Sequence, residues 1–315
     1  MKMLKRILLV ALPLLMTACS VTEVRERQFI QTAALYHKSG EEYVVLHPFD
    51  SERSVAAAGE TLLTALETAE GLLGGALFLG HTELLGVGRG DLTENLEELL
   101  DGNRISPSCK LMYSPDGTVD SALIPVLSQM AGSGQLIAPS CGDALRHLLG
   151  RSEKTVLPAL DDGTLTLAVV DADGNRLAFL DETACRGLFW LTGESAELTL
   201  AVNSGDDVLY FAVTDTRASL QAYPAQDGLK IVAELSVKGD LSAHGGALAA
   251  AAETEVKRIC AAALRQTVTA CGADVIGIET AAARADRAYY LAHEADWEEL
   301  LRTAEIEVRV DVRAA

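Results

Sequence analysis

Reactive side chains at fixed spacing are few in this chain. Gly132-Ser133-Gly134 sets a serine between glycines, but a nucleophile elbow needs Gly-x-Ser-x-Gly to expose the hydroxyl on a strained turn. Gly86-Val87-Gly88-Arg89-Gly90 lacks the Gly-Lys-Ser/Thr ending with which a loop cradles phosphate. The Arg89-Gly90-Asp91 within it reads as a loop and a helix start. Asp171-Ala172-Asp173-Gly174-Asn175 imitates a calcium loop without completing it, and reads as a hairpin turn. There is no Cys-x-x-Cys and no paired histidine at zinc-ligand spacing. No catalytic residue, metal ligand or cofactor site is expected, and no enzymatic turnover.

One reactive position remains, and it lies at the start. Lys2, Lys5 and Arg6 precede an apolar run over 7–16, followed by Thr17-Ala18-Cys19. A basic start, a short apolar stretch and small residues at the cut make a secretory signal. The run is about half of the roughly 20 residues that a membrane-spanning helix needs. Leu15-Met16-Thr17-Ala18-Cys19 resembles a bacterial lipobox, which implies cleavage after residue 18 and lipidation of Cys19. A diacylglycerol on that cysteine supplies two acyl chains, enough for stable anchoring. No later stretch is expected to cross a bilayer, since even the most apolar, 76–88, contains His81 and Glu83.

Length and charge narrow the class. At 315 residues, two or three domains are expected. Apolar residues make up 49%, which suits a globular chain. The formal charge is -19, and loss of residues 1–18 removes three cations more. Such a chain is repelled by nucleic acid and by anionic headgroups. If Cys19 carries lipid, Cys109, Cys141, Cys185, Cys260 and Cys271 are left. An odd number is no disulfide framework; export permits one pair, and buried free thiols are the other reading.

The elements follow from periodicity. Residues 29–37 and 43–48 read as strands around Lys38-Ser39-Gly40. Residues 54–73 read as an amphipathic helix ended by Gly74-Gly75. A strand or strand pair over 76–87 leads to a helix over 91–100, with Asp91 as its cap. A strand over 105–113, a turn at 114–117 and a helix near 119–131 come next. Residues 132–160, rich in Gly, Ser and Pro around a helical 143–149, read as a domain junction. Strands at 165–170 and 176–180, a helix at 183–191, and strands at 198–202, 208–214, 219–224 and 229–238 follow. A long helix over 247–270 and a short one at 296–301 lead to 305–313. There Ile306, Val308, Val310 and Val312 alternate with charges, as in a half-buried antiparallel strand. The expected class is α+β, with antiparallel or mixed sheets each carrying helices on one face. The expected domains are 19–155, a β-rich 156–217 and an α+β 218–315, after a signal peptide over 1–18.

Taken singly, the notable side chains have fold roles. Arg186 reads as a structural ion-pair or capping residue, Trp190 and Trp297 as core, and His81 as a satisfied core histidine. Gly80 marks a bulge or close backbone approach. Asp274 is expected to bond turn amides.

Four ordered blocks carry a family resemblance. They are the lipobox at Cys19; Gly59-Glu60-Thr61-Leu62 with Phe78-Leu79-Gly80-His81; Glu182-Thr183, Arg186-Gly187-Leu188 and Trp190-Leu191-Thr192-Gly193; and Gly272-Ala273-Asp274-Val275-Ile276-Gly277 with Asp296-Trp297-Glu298-Glu299-Leu300 and the alternating last strand. In this order the chain resembles the C-subunit lipoproteins of bacterial spore germination receptors, the Ger(x)C (GerAC-like) family. The resemblance implies a lipid-anchored, non-catalytic subunit of a nutrient germinant receptor on the extracytoplasmic face of the spore inner membrane. It implies membrane-embedded A- and B-subunits as partners. The runner-up readings are a generic solute-binding or other envelope lipoprotein, and an envelope hydrolase. The antiparallel strand runs argue against the first, and the missing nucleophile and metal motifs against the second.

Overall fold

A computed structural model describes residues 27–315 apart from 50, 52, 194–197, 205–206, 227 and 242–244. The expected signal peptide and Cys19 lie outside the described residues.

The chain enters as β1 (Arg27–Lys38), which pairs antiparallel with β2 (Glu41–Pro48). Their two-residue loop has positive φ at both positions, 56° at Ser39 and 87° at Gly40. That geometry matches the right-handed twist of a hairpin. The expected helix from 54 splits in two. Its first residues form β3 (Val55–Gly59) on the edge of β2, and α1 (Leu62–Leu73) begins only after Thr61. Thr61 and Thr64 cap each other's backbone amides, which fixes the helix start. An alanine-rich run has no strand pattern of its own; pairing with β2 decides it.

β4 (Ala76–Phe78) and β5 (Leu84–Val87) both run parallel to β1. β6 (Lys110–Tyr113), β7 (Lys154–Asp161), β8 (Thr164–Asp171) and β9 (Arg176–Leu180) complete a mixed sheet. Between these strands lie α2 (Leu92–Asp101), α3 (Leu123–Gly132) and α4 (Cys141–Leu148). Asp91 caps α2 by accepting from the Glu94 amide, as expected. The sheet is buried on both faces. Leu85, Leu111 and Leu157 pack with α1, α2 and α4, while Leu84, Met112 and Val156 point to α3 and the rest of the molecule. The strands from 154 onward therefore belong to the first sheet, and the expected boundary at 155/156 falls inside β7.

After α5 (Glu182–Thr192), a smaller sheet is built from β10 (Leu198–Ser204), β11 (Asp207–Ala225), β12 (Gly228–Gly239) and β13 (Glu305–Ala314). The stretches 208–214 and 219–224 are one strand with an irregularity near Asp215, so β11 crosses the expected boundary at 217/218. Its first part pairs with β10 and its later part with β12. The long helix is α6 (Gly245–Leu264), continued by a π-helical turn at Arg265–Thr269. Gly272 has φ 63° just beyond it. Then come α7 (Ile278–Ala285), α8 (Arg287–Ala292) and α9 (Trp297–Thr303). One face of this sheet, with Phe211, Ile231, Val237 and Val308, buries against Val256 and Ile259 of α6. Its other face carries charges.

β13 pairs with β12 parallel, not antiparallel as expected. Alternation reports that one face is buried but not the strand's direction. The helices between β12 and β13 supply the long crossover that a parallel pair requires. The molecule is α+β with two mixed sheets. Cys109, Cys141, Cys185, Cys260 and Cys271 are buried free thiols.

Candidate functional site

Most residues singled out in the sequence meet where the two sheets join. Gly187 and Trp190 lie on α5, which crosses α6 at backbone distance. A Cβ on Gly187 would stand 2.1 Å from the Ile259 carbonyl oxygen and 2.9 Å from the Ala263 Cβ. Only glycine permits that crossing. Trp190 is 1% exposed and fills the core beside it. Arg186 is half-buried on α5 and its charge reaches Glu255 on α6, which is held below the usual carboxylate range first by its hydrogen bond from Arg258 and further by Arg258 and Arg186 charge.

Asp274 is the polar centre of the joint. Its carboxylate accepts from the backbone amides of Ile276, Gly277, Ile278 and Glu279, at 3.3, 2.9, 2.8 and 2.6 Å. It thereby satisfies the N-terminus of α7, where Gly277 turns with φ 87°. Burial pushes the Asp274 carboxyl up, and the four amides oppose it. Its own backbone N–H donates to Ser152 Oγ in the first half of the molecule, at 3.1 Å.

Ser152 belongs to a polar seam that the sequence reading missed. The Arg151 amide donates to Glu279 at 2.8 Å, and the Arg151 side chain pairs with Glu294 and Tyr290. Tyr290 donates to Glu279. Lys154, only 7% exposed, donates to Glu298 at 2.6 Å. Arg302 clamps the same carboxylate at 2.7 Å and donates to the Ala270 and Cys271 carbonyls. The hydrogen bond from Lys154, with that from Arg302, keeps the Glu298 carboxyl low. Trp297 beside it is 1% exposed and meets Tyr290 edge-on at 5.4 Å. The signals were present but split: Glu298 stands in the Asp296-Trp297 block, and residues 151–154 lie in the stretch read as a junction.

A cleft of about 370 Å³ opens along this joint, lined among others by Lys110, Asp143, Arg146, His147, Asp274 and Glu279. Most of its charges bond within the chain, and Lys110 is exposed. Arg146 pairs with Asp143, Lys110 donates to the Ala138 carbonyl, and Glu279 is held as above. His147 faces Thr155, and burial, with Arg146 nearby, lowers its pKa to about 4. The imidazole is neutral at pH 7. Among the described residues no group of three or more His, Cys, Asp or Glu side chains is placed to hold a metal ion.

Gly80 and His81 lie elsewhere, in the turn between β4 and β5. A Cβ on Gly80 would press on the Phe78 ring at 3.0 Å, so its close neighbour is a side chain and not the bulge or backbone approach expected. His81 is exposed, not a core histidine. It leaves β4 before β5 begins, and its ring stacks on Phe29 at 6.2 Å and meets Phe78 edge-on at 5.2 Å. The Asp171–Asn175 segment is the hairpin turn expected, with Asp171 accepting from the Asp173 and Asn175 amides.

A two-sheet α+β molecule with a glycine-tight helix crossing and an Asp-capped turn at its joint matches known proteins in two ways. Residues 166–314 match the family model described as "Spore germination B3/ GerAC like, C-terminal". Over this stretch the chain is similar to the C-terminal part of spore germination B3/GerAC-like proteins, in agreement with the resemblance drawn from the sequence blocks. The crystal structure of the GerBC protein has the same fold, with a TM-score of 0.59 at 9% identity over 90% of this chain and 96% of that one. No curated protein sequence matches the chain.

Proposed function

We propose that this protein is the lipid-anchored C-subunit of a nutrient germinant receptor, a subunit that works by interaction and not by turnover. The observation that carries the reading is the family match over 166–314, set within a whole-chain likeness to GerBC. The commitment of most of the cleft's polar side chains to bonds inside the chain supports a scaffold over an active site. Cys19 is the attachment point, on the extracytoplasmic face of the spore inner membrane. No helix among the described residues is long and apolar enough to cross a membrane, so in this reading the lipid does the anchoring. The partners are the membrane-embedded A- and B-subunits, and tethering raises the effective concentration at which a modest interface holds.

The test is deletion in the source organism, followed by nutrient-triggered germination and crosslinking in spore membranes. The expected result is loss of at least one nutrient response and a crosslink to a receptor subunit. Cys19→Ala is expected to abolish lipid attachment. Normal germination with every nutrient, and no crosslink, returns the chain to the generic envelope lipoproteins.

A further inference from the structure

The smaller sheet ends in β13, whose outer edge pairs with no other strand among the described residues. β13 is its terminal strand, ten residues long, paired with β12 from Lys230↔Glu305 to Gly239↔Ala314 without a register shift. A strand edge with free amides and carbonyls is a template for another strand, and proteins usually blunt one with proline, a bulge, charged side chains or a covering element. β13 has neither proline nor bulge, and what guards it is a row of charges on its solvent face and Glu253 of α6 at its edge. Its backbone polarity can be assigned. The Ala315 amide donates to Gly239 of β12, while the Val312 amide turns away and meets Glu253 at 3.4 Å. Backbone groups alternate sides along a strand, so residues 306, 308, 310 and 312 present theirs to the open edge. Glu253 caps that row at Val312.

The solvent face of β13 carries Glu307, Arg309, Asp311 and Arg313, an alternation of sign. Read against itself in the opposite direction about Val310, this pattern is self-complementary. Glu307 falls opposite Arg313, and Arg309 opposite Asp311, on both sides of the axis. Val308 falls opposite Val312, and Val310 opposite itself. These even-numbered pairs are the ones whose amides and carbonyls face the edge, so hydrogen bonding and charge select the same register. Neighbouring registers fail: an axis at Arg309 sets that cation against itself, and one at Val308 sets Glu305 against Asp311.

We propose that β13 is a homodimer edge, pairing antiparallel with β13 of a second copy about a two-fold axis at Val310. The contact is isologous, as closed two-fold dimers require. Within one copy Arg309 bonds Glu307 and Glu234, and Arg313 bonds Asp311. These pairs are solvent-exposed and so weakly held, which leaves the charges able to exchange across the axis. The Val312 amide exchanges Glu253 for the carbonyl of Val308 in the second copy. This inference stands apart from the receptor reading.

The purified protein tests it by sedimentation and by engineered crosslinks. Dimer is expected in a concentration-dependent equilibrium, and Val310→Pro is expected to lower the association constant at least tenfold with the far-UV spectrum unchanged. Proline there removes an outward amide and no bond to β12. Val310→Cys is expected to form an intermolecular disulfide with diamide, because opposed residues in a hydrogen-bonded pair sit about 5.5 Å apart at Cα. Val308→Cys alone is expected not to, since Val312 faces it. Arg309→Glu is expected to weaken association and the added Asp311→Arg to restore it. A monomer up to about 100 μM, where even weak pairs register, overturns the proposal, as does crosslinking of Val308→Cys in preference to Val310→Cys.

Discussion

The two sheets are joined twice, by opposite means. At the crossing of α5 and α6, Gly187 lets helix backbones touch, with Trp190, Ile259 and Cys260 sealed around them. At the seam, the loop 150–154 is held by Glu279, Tyr290, Glu294 and Glu298 through charges, most of them partly wet. The first joint has no slack, because its atoms are already at contact distance. The second can lose one bond and keep others, as Glu298 does with both Lys154 and Arg302. Stability is therefore expected to reside at the apolar crossing, and alignment of the two sheets at the seam.

The sharpest way to break this contrast is Gly187→Val. Overpacking against a helix carbonyl is expected to cost about 4 kcal/mol, beyond the usual range for added methyls. Denaturant unfolding reads it, and a loss under about 1 kcal/mol would mean that stability does not reside at the crossing. Asp274→Ala comes next. It strips the acceptor from the buried amide of Ile278 and the half-buried ones of Ile276, Gly277 and Glu279, at about 3 kcal/mol, while Asp274→Asn keeps one oxygen and is expected to lose less.

Which of these features were legible beforehand follows from their range. The β1–β2 turn, the Asp91 cap and the Gly272 stop are local, set by neighbouring residues. Gly187 was noticed only within a block; its reason, the Ile259 carbonyl, lies 72 positions along the chain. β3, the direction of β13 and the seam depend on partners distant in sequence, and no periodicity encodes a partner. His81 was misread because an apolar neighbourhood in sequence became a turn in space.

The smaller effects sharpen the seam. His147 has a folded pKa of about 4, below its ordinary 6.5. The unfolded chain therefore binds the extra proton first, and stability is full above pH 6.5 and falls as pH drops toward 4. Partial exposure reduces that loss to about 2 kcal/mol. His147→Gln is expected to flatten the fall, as read by thermal unfolding across that window. Lys154→Met is expected to cost about 1 kcal/mol, since a lone buried pair roughly balances its desolvation and Arg302 still holds Glu298. Lys230→Gln, on the solvent-screened ladder with Glu305 and Glu307, is expected to have the smallest effect of all, with the thermal midpoint unchanged.

β11 shares its length between two neighbours, β10 along one part and β12 along the other. Nineteen residues of strand reach about 60 Å at the usual rise. One backbone thus serves both strips, and the register irregularity near Asp215 marks where its neighbours change over. Among the described residues β10 reaches the sheet only through this strand, so a break in β11 at that point would detach β10 from β12 and β13.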